Sequence, residues 1–205
     1  MRFPSLVALA AMLLLGGCVS LFPKAAPAQL YRFDAAVTAP ERPAAPAQSR
    51  FAVQALIIDF NRSATGDQIL TVSGNEAAYI KGARWVNGAS TLFEQALANA
   101  FDASQGPARL MAQGEPVRPD YFLKLDVRVF EARYLQGRGS PPTIVVEVYA
   151  ALSQPADRTL LGQRLFAASI PATDDRVSAI AAAFDQAVAH VLGQLIKWVD
   201  AKGAG

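Results

Sequence analysis

Apolar and polar residues alternate most regularly in residues 119–134, PDYFLKLDVRVFEARY. The apolar positions are Tyr121, Leu123, Leu125, Val127 and Val129, and the charged positions between them are Lys124, Asp126 and Arg128. A period of two residues is typical of a strand that has one face in the core and the other in solvent. Residues 143–152 repeat the pattern after a loop at 136–142 that is rich in glycine and proline. The two segments are predicted to form a long antiparallel hairpin, around which the rest of the sheet is organised.

Shorter strands are predicted on both sides of this hairpin. Residues 51–60 are apolar nearly throughout, which is typical of a central strand buried on both faces. Residues 69–73 and 77–80, joined by a turn at Gly74 and Asn75, predict a short hairpin. Two more strands are predicted at residues 109–111 and 158–170.

Two segments carry apolar residues at the helical period of 3.6 residues. In the first, Thr91 and Glu94 have the spacing of a capping box, and Asn87 is the alternative cap for an earlier start. The second is predicted to be capped by Thr173, with Asp174 at the positive end of its dipole. The buried stripes are Leu92, Phe93, Ala96, Leu97, Ala100 and Phe101 in the first helix, and Ile180, Phe184, Val188, Val191, Leu195 and Val199 in the second. This order of elements predicts an α/β fold: a mixed, largely antiparallel sheet with two helices packed on one face, preceded by an extended linker.

The first residues of the chain resemble the signal peptide of a bacterial lipoprotein. Arg2 precedes an apolar run at residues 6–15 that is too short to span a bilayer, and Leu15-Gly16-Gly17-Cys18 closes it with small residues before the cysteine. This motif resembles a lipobox, in which the chain is cleaved before the cysteine and the thiol receives a diacylglyceryl group. We therefore predict a signal peptide at residues 1–17 and lipidation, with acyl chains such as palmitate, at Cys18. An uncleaved anchor or a secretory signal with an incidental cysteine is the alternative.

Residues 18–49 are rich in alanine, proline and glutamine, and they predict an extended linker between the lipid anchor and a single domain at residues 50–202. Tyr31-Arg32-Phe33-Asp34 interrupts this composition with two alternating aromatic residues, which predicts a short edge strand at residues 31–34, docked on the domain. Undocked, a linker of about 30 residues would reach on the order of 90 Å. Val19 and Ser20 follow the cysteine, where inner-membrane retention typically requires an aspartate, so we predict the outer membrane, facing the periplasm.

The composition argues against several classes of protein. A formal net charge of +2, with no cluster of lysine or arginine, argues against binding to nucleic acid. The single cysteine rules out an intramolecular disulfide bond and a multi-cysteine zinc site. The only histidine, His190, has no metal-ligand or triad partner at a suitable spacing, and Asp174-Asp175 is typical of the first turn of a helix. No nucleotide-binding loop and no nucleophile elbow occurs in the sequence, so we predict no catalytic residue, no cofactor and no metal.

Several motifs together resemble the ABC-type transport auxiliary lipoproteins, the family that includes paraquat-inducible protein C. They are the lipobox at Cys18, Ala83-Arg84-Trp85, the helical segment 92–97, the strand at 120–126 running into Phe130-Glu131, and the closing helix with Trp198. The resemblance covers residues 28–200. It implies a non-enzymatic lipoprotein of the outer membrane that docks a periplasmic protein of the mammalian cell entry (MCE) type, within an ABC lipid transport system. Whether the chain binds lipid itself or forms a homo-oligomer stays open.

Two groups of residues are candidates for the contact with this partner. The glycine-rich loop, with Gly137, Arg138 and Gly139, is an exposed segment that can become ordered against another protein. Arg84 and Trp85 are the second group, although core packing is the favoured interpretation of the tryptophan. Two other functional classes are compatible with the same features. One is a periplasmic hydrolase, which would need a nucleophile with a base, and the other is a structural lipoprotein of envelope assembly.

Overall fold

The computed structural model describes residues 27–35, 51–104, 106–137 and 139–203. In these ranges the chain forms the strands β1 (Gln29–Tyr31), β2 (Phe51–Ala55), β3 (Asp59–Phe60), β4 (Gln68–Ser73), β5 (Glu76–Trp85), β6 (Ala108–Leu110), β7 (Tyr121–Arg133), β8 (Thr143–Ser153) and β9 (Leu160–Pro171), and the helices α1 (Ala89–Ala103) and α2 (Val177–Gly203). The predicted signal peptide, Cys18 and most of the predicted linker lie outside the described residues. The strands form one mixed, largely antiparallel sheet with both helices on one face, as predicted.

The strand β7 lies at the centre of this sheet. Along one edge it pairs antiparallel with β8, from Phe122 to Arg133, which confirms the predicted hairpin. Along the other edge it pairs in parallel with three short strands in succession, β2, β3 and β4. The sheet continues through β6 beside β2, through β5 and β1 beside β4, and through β9 beside β8. The predicted hairpin of β4 and β5 is also confirmed, and β5 extends beyond the prediction to Trp85.

A β-bulge in β7 changes which of its residues face the helices. The register with β8 shifts between Val127 and Val129, so the alternation of the strand changes phase at this point. Val127 is fully buried before the shift, and Phe130, which is 1% exposed, takes the next core position after it. Val129 is only partly buried. The prediction that Val129 faces the core is therefore wrong, because the extra residue moves it to the other face of the sheet.

The first helix, α1, buries its predicted apolar stripe but begins earlier than the predicted capping box requires. Gly88 occupies the N-cap position, and no side chain caps the helix there. Thr91 and Glu94 already lie within the helix, and Asn87 lies before the cap. The predicted caps are wrong because the first turn is held by backbone bonds to the carbonyl groups of residues 65–66 instead of by a side chain.

The second helix, α2, also buries its predicted stripe, but it begins at Val177. Before it, the Asp174 carboxylate accepts a 3.0 Å hydrogen bond from the backbone N–H of Arg176. This hydrogen bond lowers the pKa of Asp174 and closes a turn ahead of the helix. Thr173 is therefore too far from the helix to cap it, and Asp174 and Asp175 precede the first turn instead of lying in it, so both parts of the prediction are wrong.

The apolar segment 51–60 does not form one buried strand. β2 ends at Ala55, and β3 contains only two residues. Between them, Leu56 is 41% exposed and Ile57 is 91% exposed. The prediction of a continuous central strand is wrong here because an apolar run alone does not distinguish a buried strand from an exposed apolar connection.

An N-terminal arm, residues 29–35, is fixed to the domain. Its strand β1 pairs in parallel with β5 at one edge of the sheet, slightly earlier in the chain than the predicted edge strand. Phe33 follows β1 and is 2% exposed. Its ring centroid lies 5.1 Å from that of Trp85, in an edge-to-face arrangement, and 5.3 Å from that of Phe130. The arm is therefore part of the core, although its composition resembles that of the linker around it.

Candidate partner-binding surfaces

Arg84 and Trp85 lie at the end of β5, and their side chains point to opposite faces of the sheet. Trp85 is 2% exposed and packs edge-to-face on Phe184, with 5.2 Å between the ring centroids. Trp85 is a core residue in this structure, which removes it from the candidate contact surface. Arg84 is exposed, and one guanidinium nitrogen donates to both carboxylate oxygens of Asp67, at 2.9 and 3.0 Å. A partner that contacts Arg84 must therefore accommodate the ion pair with Asp67.

The loop between β7 and β8 lies at one end of the sheet. Gly137 and Gly139 have φ angles of 83° and 101°, in the left-handed region that glycine adopts without a steric penalty. Any other residue at these positions would strain the loop. Beside them, the side chain of Leu135 is 76% exposed, so this end of the domain presents an apolar residue to solvent. Arg138, the third predicted contact residue of the loop, lies outside the described residues.

The turn between β4 and β5 lies beside this loop. β4 pairs with β7 at Val72 and Arg133, immediately before the loop, and Gly74 in the turn has a φ of 57°. The tip surface, as we define it, consists of residues 74–75, 135–137 and 139–142. The sequence does not indicate that the turn and the loop are neighbours, because the pairing of β4 with β7 joins segments that are distant in the chain.

Arg84 is remote from the tip surface. β5 runs from Glu76, next to the tip, to Arg84, which faces Gln68 at the other end of β4. On β4, the five residue steps from Ser73, which faces Glu76, to Gln68 span roughly 17 Å, at about 3.3 Å per residue. The two groups of predicted contact residues therefore do not form one surface.

A groove of about 400 Å³ lies between α1 and the ends of β2 and β6. Its apolar lining residues include Leu56, Ile57, Ile58, Leu97, Leu110 and Met111. Ile57 projects almost entirely into solvent at the rim. Exposed apolar side chains that cluster around a groove indicate a contact surface. Sequence reasoning misses this groove because it assigns the apolar segment to a buried strand.

An ion pair holds together the turn at residues 109–115, which borders this groove. Arg109 donates to a carboxylate oxygen of Glu115 at 2.9 Å, and Glu115 also accepts a hydrogen bond of 3.2 Å from the backbone N–H of Ala112. The hydrogen bond from Arg109 lowers the pKa of Glu115, and the same bond raises the pKa of Arg109. Residues 109–115 therefore form a closed turn beside the groove.

A cleft of about 370 Å³ lies between α1 and α2. Alanine and glycine residues line most of it, and Lys197 and Asp200 are its charged residues. Burial raises the pKa of the Asp200 carboxylate, which accepts a 3.0 Å hydrogen bond from the backbone N–H of Ala108. Among its described lining residues there is no second carboxylate and no histidine, so the cleft lacks the paired groups of an acid–base site.

His190 lies on the exposed side of α2, where its Nε2 is 2.7 Å from the side-chain nitrogen of Gln194. Within the four described ranges, no group of three or more histidine, cysteine, aspartate or glutamate side chains is placed to hold a metal ion. α2 has the length and the mean hydropathy, 1.4, of a membrane-crossing helix, but 56% of its apolar window is buried inside the domain. The core therefore accounts for its apolar residues.

The described residues thus define an α/β domain that offers contact surfaces and shows no recognisable catalytic constellation in its described ranges. The family model of the ABC-type transport auxiliary lipoprotein component matches residues 31–195. The chain belongs to this family. A lipoprotein of this family is membrane-anchored, faces the periplasm and associates with an ABC transporter, which points to a non-enzymatic role.

Solved structures support the fold. The crystal structure of protein XCC0632 from Xanthomonas campestris is 28% identical, with a TM-score of 0.72 over 86% of this chain and 97% of that chain. The hypothetical protein CT253 from Chlamydia trachomatis is 7% identical, with a TM-score of 0.51 over 75% of this chain and 98% of that chain. No curated protein matches the chain.

Proposed function

We propose that this lipoprotein is anchored in the outer membrane, faces the periplasm, and serves an MCE-type ABC lipid transport system by docking its periplasmic substrate-binding protein. The family match over residues 31–195 carries the transport part of the proposal. The lipobox at Cys18, followed by Val19 and Ser20, supports the anchor and the choice of membrane. The MCE-type partner rests on the resemblance to paraquat-inducible protein C.

The docked arm limits how far the domain can stand from its anchor. Gln29 begins β1 and lies 11 residues after Cys18. A chain of that length spans at most about 40 Å when fully extended. The later part of the linker adds no reach, because Ala35 and Phe51 at its two ends both belong to the domain. We therefore expect Gln29, where the chain enters the domain, within about 40 Å of the membrane surface, well short of the roughly 90 Å of an undocked linker.

The tip surface is the proposed docking site for the periplasmic partner. It combines a loop whose shape depends on Gly137 and Gly139 with the exposed side chain of Leu135. Loops held by a rigid scaffold are the usual place for binding residues. β7 and β8 form that scaffold, since they pair along their length up to the loop. Arg84 stays a second candidate, separate from the tip surface.

Co-purification tests this docking site. Residues 136–142 are replaced by a tight hairpin turn in the full-length lipoprotein, and the yield of the MCE-type protein is compared with that of the parent. We expect the yield to fall by about tenfold or more, because a docking loop contributes central contacts. The thermal melt should stay close to that of the parent. Arg158→Gly is the matched control, since it changes the β8–β9 turn at the other end of β8 at a φ of 60° that glycine accepts.

Each part of the proposal can fail separately. An unchanged yield removes the tip surface from the mechanism. Absence of any complex between the parent chain and the MCE-type protein after chemical crosslinking removes the partner, and favours a structural role in envelope assembly.

The lipid anchor is tested with Cys18→Ala. We expect this variant to lose the acylated mass and to disappear from outer-membrane fractions, because alanine has no thiol to receive the lipid. Mass spectrometry of fractionated membranes measures both effects. Finding the substituted protein in the outer membrane at the normal mature mass contradicts lipidation at Cys18.

A further inference from the structure

The edge of β9 that faces away from β8 has no partner strand among the described residues. β9 is 12 residues long, so this edge presents a row of free backbone N–H and C=O groups. Soluble proteins usually protect such an edge with charges, prolines, a bulge or a covering segment. From Gly162 to Ile170, β9 contains one charged residue, Arg164, and no proline, and its register with β8 is regular. As far as the described ranges show, this part of the edge can accept an added strand.

Three cations border the helix side of this edge. Arg164 projects from β9 and lines, together with Lys197 and Trp198 of α2, a recess of about 380 Å³. The side chain of Lys202 lies over β9, where its Cε would be 3.3 Å from a Cβ atom added to Gly162. None of these three cations forms an ion pair with an acidic side chain in the described ranges.

Several arginines elsewhere in the domain are neutralised by a neighbouring carboxylate. Arg84, Arg128 and Arg133 each lie 2.6 to 2.9 Å from a carboxylate oxygen of a nearby residue. Within the described ranges, the three cations beside β9 therefore lack an ion-pair partner, at a sheet edge that can bind backbone. A ligand that is complementary to this edge of β9 must supply both negative charge and free backbone groups.

We propose that β9 binds an extended acidic segment of a protein partner, which joins the sheet as a further strand. The backbone of the segment bonds to the free edge, and its carboxylates face Arg164, Lys197 and Lys202. On the other face of the sheet, Leu165 is 48% exposed and offers an apolar contact. Because successive side chains of a strand point to opposite faces, the segment alternates acidic and apolar residues.

A second copy of this chain is a poor occupant of the same edge. An antiparallel pairing of two β9 strands keeps both helix layers on the same side of the joined sheet. It therefore brings Arg164, Lys197 and Lys202 of one copy close to the same three cations of the other copy. Like charges that are close together at a protein surface repel each other, so the charge pattern favours an acidic partner over self-association.

Binding of a synthetic strand to the full-length lipoprotein in a neutral detergent tests the proposal. The probe is a fluorescent peptide of alternating glutamate and valine, matched to the 12 residues of β9, and the control peptide has lysine in place of glutamate. We expect the glutamate peptide to bind about tenfold tighter or more, and its affinity to fall with added salt. Slower amide hydrogen exchange in β9 identifies an added strand.

Charge-reversal variants locate the binding. Arg164→Glu combined with Lys197→Glu is expected to weaken binding of the glutamate peptide by about tenfold or more. The matched control, Arg62→Glu combined with Lys81→Glu, changes two exposed cations elsewhere and should alter the affinity by less than about twofold. Circular dichroism checks that both double variants fold.

Several results overturn the proposal. They are equal affinity for the two peptides, unchanged exchange in β9, equal effects of the two double variants, and binding of the chain only to vesicles of phosphatidylglycerol and phosphatidylcholine. The variant with the shortened tip loop is expected to bind the peptide as the parent does. Failure of the tip surface and failure of the β9 edge are therefore distinguishable.

Discussion

The carboxylate Oδ1 of Asp185, on α2, accepts a 2.8 Å hydrogen bond from the backbone N–H of Ala35. The same oxygen accepts a 3.0 Å hydrogen bond from the N–H of Asp34. Ala35 is fully buried with a φ of 50°, a left-handed conformation that alanine rarely adopts. A side chain of the last helix therefore holds the end of the N-terminal arm in an otherwise unfavourable backbone conformation.

Asp185→Ala is expected to loosen the arm and to lower the free energy of unfolding by on the order of 2 kcal/mol, because two part-buried N–H groups lose a charged acceptor. Asp185→Asn keeps an acceptor oxygen and should lose less. Urea denaturation measures the stability, and the rate of proteolysis near residue 35 measures the loosening. Equal stability of the parent and the alanine variant would contradict this role of the carboxylate.

Phe33→Ala removes a ring that is 2% exposed and packs against Trp85. We expect the free energy of unfolding to fall by about 3–5 kcal/mol, the usual range for truncation of a buried phenylalanine. Leu30→Ala is the matched control, because Leu30 lies in the same arm at 62% exposure and should change stability by less than about 0.5 kcal/mol. If the two variants unfold at the same urea concentration, the arm does not belong to the core.

Phe184→Asp and Leu195→Asp each place a carboxylate in the fully buried stripe of α2. An unpaired buried charge costs several kcal/mol, a large part of the roughly 5–15 kcal/mol that stabilises a domain. We expect both variants to be unfolded by circular dichroism. His190→Ala, on the exposed side of the same helix, should leave stability and partner binding unchanged. Loss of partner binding at normal stability in His190→Ala would reveal a histidine site.

Asp200→Asn tests the carboxylate in the cleft between the helices. Burial raises the pKa of Asp200 in the folded chain, so the folded state binds this proton more tightly than the unfolded state does. The contribution of Asp200 to stability is therefore fully present below its ordinary pKa of 3.8 and is lost as the pH rises through the folded pKa. Asparagine keeps an acceptor for the N–H of Ala108 without the charge. We expect the variant to be the more stable chain at neutral pH, by less than about 1 kcal/mol because the group is still partly solvated.

The control for this pH dependence is Asp157→Asn, for which the expected change in stability at neutral pH has the opposite sign. Hydrogen bonds with Thr159 lower the pKa of Asp157, so its charged form stabilises the folded chain at neutral pH and this contribution is lost as the pH falls. Urea midpoints at neutral pH and at about pH 4 measure both variants. A stability gain in Asp200→Asn that grows in acid is the result that contradicts the raised pKa.

The two largest parts of the fold are predictable because local patterns dominate them. The alternation around β7 and the helical period of α2 each identify an element without reference to the rest of the chain. The three parallel neighbours of β7 are not predictable in this way, because nothing local specifies which distant strand fills an edge. The bulge that turns Val129 away from the helices, and the exposure of Ile57, are set by the same distant contacts.

The candidate surfaces are less predictable from sequence than the elements of the fold, because they combine residues from separate elements. Gly137 and Gly139 are identifiable from sequence because glycine marks an exposed loop, and the favoured interpretation of Trp85 as a core residue is confirmed. Its ring partners Phe33 and Phe184 are known only from the fold. The positive border of β9 has no sequence signal, since Arg164 and Lys197 belong to separate elements that meet only when α2 packs on the sheet.

Tension on the proposed lipid anchor at Cys18 would enter the described domain at Gln29. It must first strip β1 from β5, where Gln29, Leu30 and Tyr31 are paired, before it can pull on Phe33. Beyond Phe33, the hydrogen bonds from Asp34 and Ala35 to Asp185 pass the load to α2, the longest helix of the described chain. β1 can separate from β5 while the ring of Phe33 stays buried in the core. A pull from the proposed anchor would therefore load the edge strand β1 before any residue of the core.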